Sequence, residues 1–152
     1  MIIGLDPGRY KIGVACTDGD TLLFSAIVPK AEEDVLCSAI AENKFEKLSL
    51  WVKEGSTESI DKNEKPEGIM LGNGTSHPEL EKKIREASDT ALYIVNEYGT
   101  TLEGRKLYWR LNPPEGLWKI IPTSLRVPPR DIDDLAAYAI AIAGMKEVKG
   151  NL

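Results

Sequence analysis

The sequence predicts an α/β domain built on a mixed five-stranded sheet, a three-strand antiparallel meander followed by parallel strands, with helices on both faces. Three observations lead there. Two apolar runs, Met1 to Leu5 and Ile12 to Cys16, are joined through Pro7-Gly8. A third run, Thr21 to Val28, follows Asp18-Gly19-Asp20, and both joints carry the residues that tight turns require. Beyond Val28 the pattern turns to helix, strand, helix, strand, helix. The 152 residues suit one domain over 1–152, large enough for a single core.

In order, the first strand ends abruptly in Asp6. Pro29 closes the meander. Residues 31–54 read as a helix, with Val35, Ile40, Leu48 and Val52 among its apolar positions and an acidic first turn. Residues 55–65 form a solvated loop. Gly68-Ile-Met-Leu71 is a brief strand that stops at Gly72-Asn-Gly-Thr-Ser76. Residues 78–87 make a charged helix, in front of which Ser76 is placed as the cap. Ala91 to Val95 is a second buried strand, ending in Asn96-Glu97, and Thr100 to Leu111 is a basic helix. Residues 112–130 are irregular and rich in proline. A last helix runs from about Asp131 to Val148, with Asp131 a candidate N-cap.

Composition bounds the partners. No apolar run approaches the roughly 20 residues of a membrane helix and no basic, cleavable leader precedes the first strand, so a cytoplasmic protein without a membrane partner is expected. Cys16 and Cys37 lie in apolar patterns and read as reduced core thiols. The net charge is −5, but it is unevenly spread. Residues 31–66 carry nine acidic and five basic side chains, whereas 101–130 carry two acidic and six basic ones. The basic stretch is interleaved with Tyr108, Trp109 and Trp118, a combination suited to stacking on bases and contacting phosphates, although two of these rings are expected to pack in the core instead.

The chemistry lies in the carboxylates. Asp6 and Glu97 end apolar runs, and Asp131-Ile-Asp-Asp134 opens the last helix. Acids gathered from strand ends repel unless a cation or shared protons relieve them. Oxygen ligands without a His or Cys pattern suit Mg²⁺ or Mn²⁺, which in pairs promote phosphodiester hydrolysis. At about 100° per residue, Asp133 stands at the edge of the apolar helical face and Asp134 on the far side. Asp133 is therefore the acid placed to lean over the sheet, and Asp134→Asn is expected to be the milder change. Gly72, Gly74, Thr75 and Ser76, between a strand and a helix, offer either backbone amides for a phosphate or a plain turn. His77 is expected at the surface.

Ile2-Ile-Gly-Leu-Asp-Pro-Gly-Arg-Tyr-Lys-Ile-Gly-Val-Ala15 resembles the opening of the RuvC/YqgF branch of the RNase H-like nucleases. Val95-Asn-Glu-Tyr-Gly-Thr-Thr101 and Ile132-Asp-Asp-Leu-Ala-Ala137 resemble two later segments of that family, and Gly72-Asn-Gly-Thr-Ser76 is similar to a loop of the related domain in Tex transcription proteins. The resemblance covers nearly the whole chain except residues 31–66. It implies an RNase H-like fold, with Asp6, Glu97 and Asp133 as catalytic metal ligands. It also implies a metal-dependent endonuclease acting on Holliday-junction-like DNA or pre-16S rRNA. A homodimer is one assembly open to the chain. Arg9, Asn73, Thr75, Arg105, Arg110 and Arg126 are the expected nucleic-acid contacts. Two other readings share parts of the pattern. One is a nucleic-acid-binding module of the same fold without turnover, since the Gly-Asn-Gly-Thr loop belongs partly to such proteins. The other is an actin-type sugar-kinase half-domain, disfavoured because a chain of this length lacks the second lobe needed to enclose ATP.

Overall fold

A computed structural model describes residues 1–151. Strands β1 (Ile2–Pro7), β2 (Lys11–Asp18) and β3 (Thr21–Pro29) form the expected antiparallel meander. Strands β5 (Gly68–Gly72) and β6 (Leu92–Val95) add to it in parallel on the β1 side, one beyond the other. The sheet has a sixth strand, β4 (Val52–Gly55), antiparallel to β3 at the opposite edge. The full order is β4-β3-β2-β1-β5-β6, the five expected strands with an additional edge strand.

That sixth strand corrects the long helix expected over 31–54. Helix α1 covers only Glu33–Glu42 and ends at Asn43, whose φ of 54° is the left-handed conformation Asn tolerates at a helix C-terminus. The chain then reverses through a 3₁₀ segment, Phe45–Trp51, that buries Phe45 and Leu48, and pairs with β3. Phe45 and Leu48 are three residues apart, a spacing that mimics a continuing helix.

Helices α2 (His77–Ala87), α3 (Thr100–Leu111) and α4 (Asp133–Gly150) complete the fold. Strand alternation assigns the two faces. Ile3 and Leu5 of β1, Ile12, Val14 and Cys16 of β2 and Ile69 and Leu71 of β5 form one core with Leu36 and Ile40 of α1 and Leu80 and Ile84 of α2. The intervening residues face α4: Ala15 packs with Leu135 and Ala137, and Met70 and Val95 pack with Ile140. Gly4 and Gly13 sit on this second face because α4 lies almost on the backbone there. A Cβ on Gly13 would overlap the carbonyl of Asp133, and one on Gly4 the carbonyl of Ala137. Asp6 has the parity of Gly4, so its carboxylate emerges on the α4 face.

The last helix starts at Asp133, with Ile132 in the N-cap position and no side-chain cap. Asp131 therefore does not cap the helix, as its position had suggested. Residues 112–130 remain irregular apart from two short 3₁₀ turns, Gly116–Ile120 and Thr123–Leu125. Cys16 and Cys37 are both buried free thiols. Among the described residues no helix is long and apolar enough to cross a membrane.

Candidate functional site

Three elements deliver the three acids to one end of the sheet. Asp6 leaves β1, Glu97 follows β6, and Asp133 opens α4. The charges sense one another. The Asp6 carboxyl is pushed up to about 7, first by its burial and then by the negative charges of Glu97 and Asp133. Asp6 and Asp133 line a cleft of about 550 Å³ with Lys11, Thr101, Arg105, Ala136 and residues 127–132.

The Gly-Asn-Gly loop accommodates the second acid. A Cβ on Gly72 would come within 2.9 Å of Glu97 Oε2, and one on Gly74 within 3.1 Å of both carboxylate oxygens. Only glycine lets the loop backbone pass so close to that side chain. Asn73 Oδ1 accepts a hydrogen bond from the Glu97 amide at 3.2 Å, and the Thr100 hydroxyl donates to the Glu97 carbonyl at 2.7 Å. Asn73 of the loop and Thr100 of α3 thus hold the Glu97 backbone from two sides. Ser76 makes no capping hydrogen bond. His77 is half-buried rather than a free surface residue, and its Nδ1 lies 2.7 Å from the Gly74 carbonyl oxygen.

Asp134 departs most from expectation. It is fully buried rather than turned outward on a free flank. Its Oδ2 accepts from the Ser25 hydroxyl at 2.6 Å, and Arg130 donates to both of its oxygens at 2.8 and 3.2 Å. The Arg130 guanidinium also reaches Glu54 at 2.9 Å and lies over the Tyr108 ring. Burial opposes the Arg130 charge, but the Asp134 and Glu54 carboxylates raise its proton affinity overall. This network ties β3, β4 and α4 together behind the cleft and leaves Asp133 as the acid that faces it.

Lys11 is a cleft residue that the motifs do not single out. Its Nζ lies 2.5 Å from Asp131 Oδ2 and 3.3 Å from Asp133 Oδ2. The hydrogen bond to Asp131 heads the causes that hold its ammonium above the usual lysine range. Strand parity could have located it, because Lys11 shares the α4-facing register of Gly13 and Ala15.

The expected nucleic-acid contacts divide. Arg105 is half-buried and lines the cleft. Arg9 is exposed in the turn after β1, and Thr75 is exposed just before α2. The Asn73 carbonyl group is committed to Glu97. Arg110 lies outside the cleft, in a separate hollow with Asp20, Tyr98 and Lys146. Arg126 packs over the Trp109 ring and donates to the Lys119 carbonyl. Trp109 and Trp118 stack at 6.2 Å, with Tyr108 edge-on to Trp109.

The donor set fits a hard divalent cation. All three candidates are carboxylates, and Glu97 Oε2 is buried without a hydrogen-bond partner among the described residues. Among the described residues, however, no three His, Cys, Asp or Glu side chains stand close enough to hold an ion as they lie. Asp133 is paired with Lys11 as it lies.

No family model and no curated protein matches the chain. Among solved structures it is similar to the ROK hexokinase from Thermus thermophilus, at 20% identity and a TM-score of 0.41. That alignment covers 72% of this chain and 36% of the other, so the chain spans little more than a third of the hexokinase's length.

Proposed function

We propose that this chain is a metal-dependent endonuclease of the RuvC/YqgF type, cutting phosphodiester bonds of branched DNA or structured RNA, in the cytoplasm. The observation that carries this reading is the approach of Asp6, Glu97 and Asp133 from three separate elements, where burial first and then the charges of the other two raise the proton affinity of Asp6. Unrelieved mutual repulsion costs stability, so a cluster of this kind is best accounted for by a cation that relieves it. Asp6, Glu97 and Asp133 would hold Mg²⁺ or Mn²⁺, which when bound supplies Lewis-acid activation of water and stabilisation of the leaving oxygen.

The chain's own residues contribute the rest. Asn73 and Thr100 hold the Glu97 backbone, and the glycines at 72 and 74 leave room for its carboxylate. The Asp134–Arg130–Glu54 network anchors the start of α4, and with it Asp133. Arg105 supplies a positive charge at the cleft wall for a phosphate oxygen, where such a charge stabilises negative charge developing in the transition state. The cleft is open and polar, as a polymeric anionic substrate requires.

The alternative is a binding module without turnover, favoured by the pairing of Asp133 with Lys11. Purified protein with excess Mn²⁺ should cleave one of two substrates, a four-way DNA junction or a precursor of 16S rRNA. The preferred substrate identifies the class. Binding of either without any metal-dependent product supports the module instead.

A further inference from the structure

Lys11 stands where two cations would want the same oxygen. It leaves β2 on the face that carries Asp6, and its ammonium bridges Asp131 and Asp133 at 2.5 and 3.3 Å. Asp131 is 70% exposed and outside the helix, whereas Asp133 is 28% exposed and on its first turn. One partner is therefore a solvent-side tether, and the other is a candidate metal ligand. An ammonium neutralises Asp133 when nothing else does, and opposes any second cation that approaches the same carboxylate. Were Asp133 to turn to a divalent cation, Lys11 would keep only Asp131. Its side chain, 36% exposed in the wall of the cleft, would then be free to meet an anion.

We propose that Lys11 is an exchangeable counter-ion. It holds Asp133 in the metal-free protein, gives it up to the divalent cation, and passes to a phosphate oxygen of the nucleic acid, while Asp131 keeps it within reach. Lys11 is thus a positioning residue before metal binding and a substrate contact after it. The proposal rests on the nuclease reading of the cleft, but it is separable from that reading.

The test is Mn²⁺ binding to the full chain, followed by the paramagnetic resonance of free Mn²⁺. An exposed ion pair is worth about 0.2–1 kcal/mol, so Lys11→Met should bind Mn²⁺ up to about fivefold more tightly than wild type. Asp131→Asn should bind more weakly, because Lys11 then has Asp133 alone. With Mn²⁺ present, Lys11→Met should bind DNA less tightly and lose one phosphate contact, making the salt slope shallower by about 0.9. Lys11→Arg should keep the wild-type slope. Equal or weaker Mn²⁺ binding by Lys11→Met overturns the exchange, and an unchanged salt slope overturns the transfer to phosphate. Wild-type Mn²⁺ binding that Asp6→Asn leaves intact would remove the metal site itself, and this proposal with it.

Discussion

Replacing Asp6 by Asn should make the metal-free protein more stable above neutral pH, although it removes the candidate catalytic acid. The Asp6 carboxyl is raised from 3.8 to about 7 by burial and by Glu97 and Asp133. Between those values the native state holds a proton that the unfolded state has released. Stability therefore falls as pH rises through this window, and the full penalty is present above about pH 7. A rise of about three units at about 1.36 kcal/mol each sets that penalty near 4 kcal/mol. For a chain of this size each kcal/mol moves the melting midpoint by roughly 2–4 °C, so Asp6→Asn should melt roughly 10 °C higher at pH 8. At pH 4 the two proteins should nearly coincide. Urea denaturation with a chelator, from pH 4 to pH 8.5, reads this directly. Added Mn²⁺ should then stabilise wild type more than the variant. An Asp6→Asn protein no more stable than wild type at pH 8 would refute the account of Asp6 as a repelled, buried carboxylate.

Three further outcomes follow from the geometry. Asp134→Asn leaves the Arg130 guanidinium short of its buried partner and should cost about 3 kcal/mol in urea denaturation, so its effect is on stability first. Gly13→Ala drives a methyl group into the Asp133 carbonyl; it should destabilise by at least about 2 kcal/mol and weaken Mn²⁺ binding by displacing the first turn of α4. Arg105→Glu should weaken nucleic-acid binding and flatten its salt dependence, with Arg110→Glu having less effect, because of these two Arg105 lines the cleft and Arg110 does not. Equal effects of the two reversals in a salt titration would move the binding surface away from the carboxylates.

Much of this was legible in the chain because it depends on short-range chemistry. Pro7-Gly8 and Asp18-Gly19-Asp20 mark the turns of the meander, and the helix wheel chose Asp133 as the acid facing the cleft. What escaped depends on long-range partners. Asp134 is buried because Ser25, more than a hundred residues earlier, and Arg130 meet it. The only local sign is Ser25 itself, a lone polar residue in the apolar run Leu22 to Val28. The break at Asn43 was hidden because Phe45 and Leu48 continue a helical spacing after the helix has ended. Gly72 and Gly74 were visible as a loop, but what fills the space their missing side chains leave, the Glu97 carboxylate, comes from a different strand.

Whether Asp6, Glu97 and Asp133 act together on a nucleic-acid phosphate is read from cleavage and binding in the same samples. Wild type and Asp6→Asn are each mixed with a four-way DNA junction and with precursor rRNA in excess Mn²⁺. Bound and cut fractions are read side by side. Wild type should cleave, and the substitution should lower cleavage by at least about a hundredfold, while binding stays equal or tightens as a negative charge near the phosphate is lost. Cleavage by Asp6→Asn at the wild-type rate, or none by either protein, would contradict that joint action.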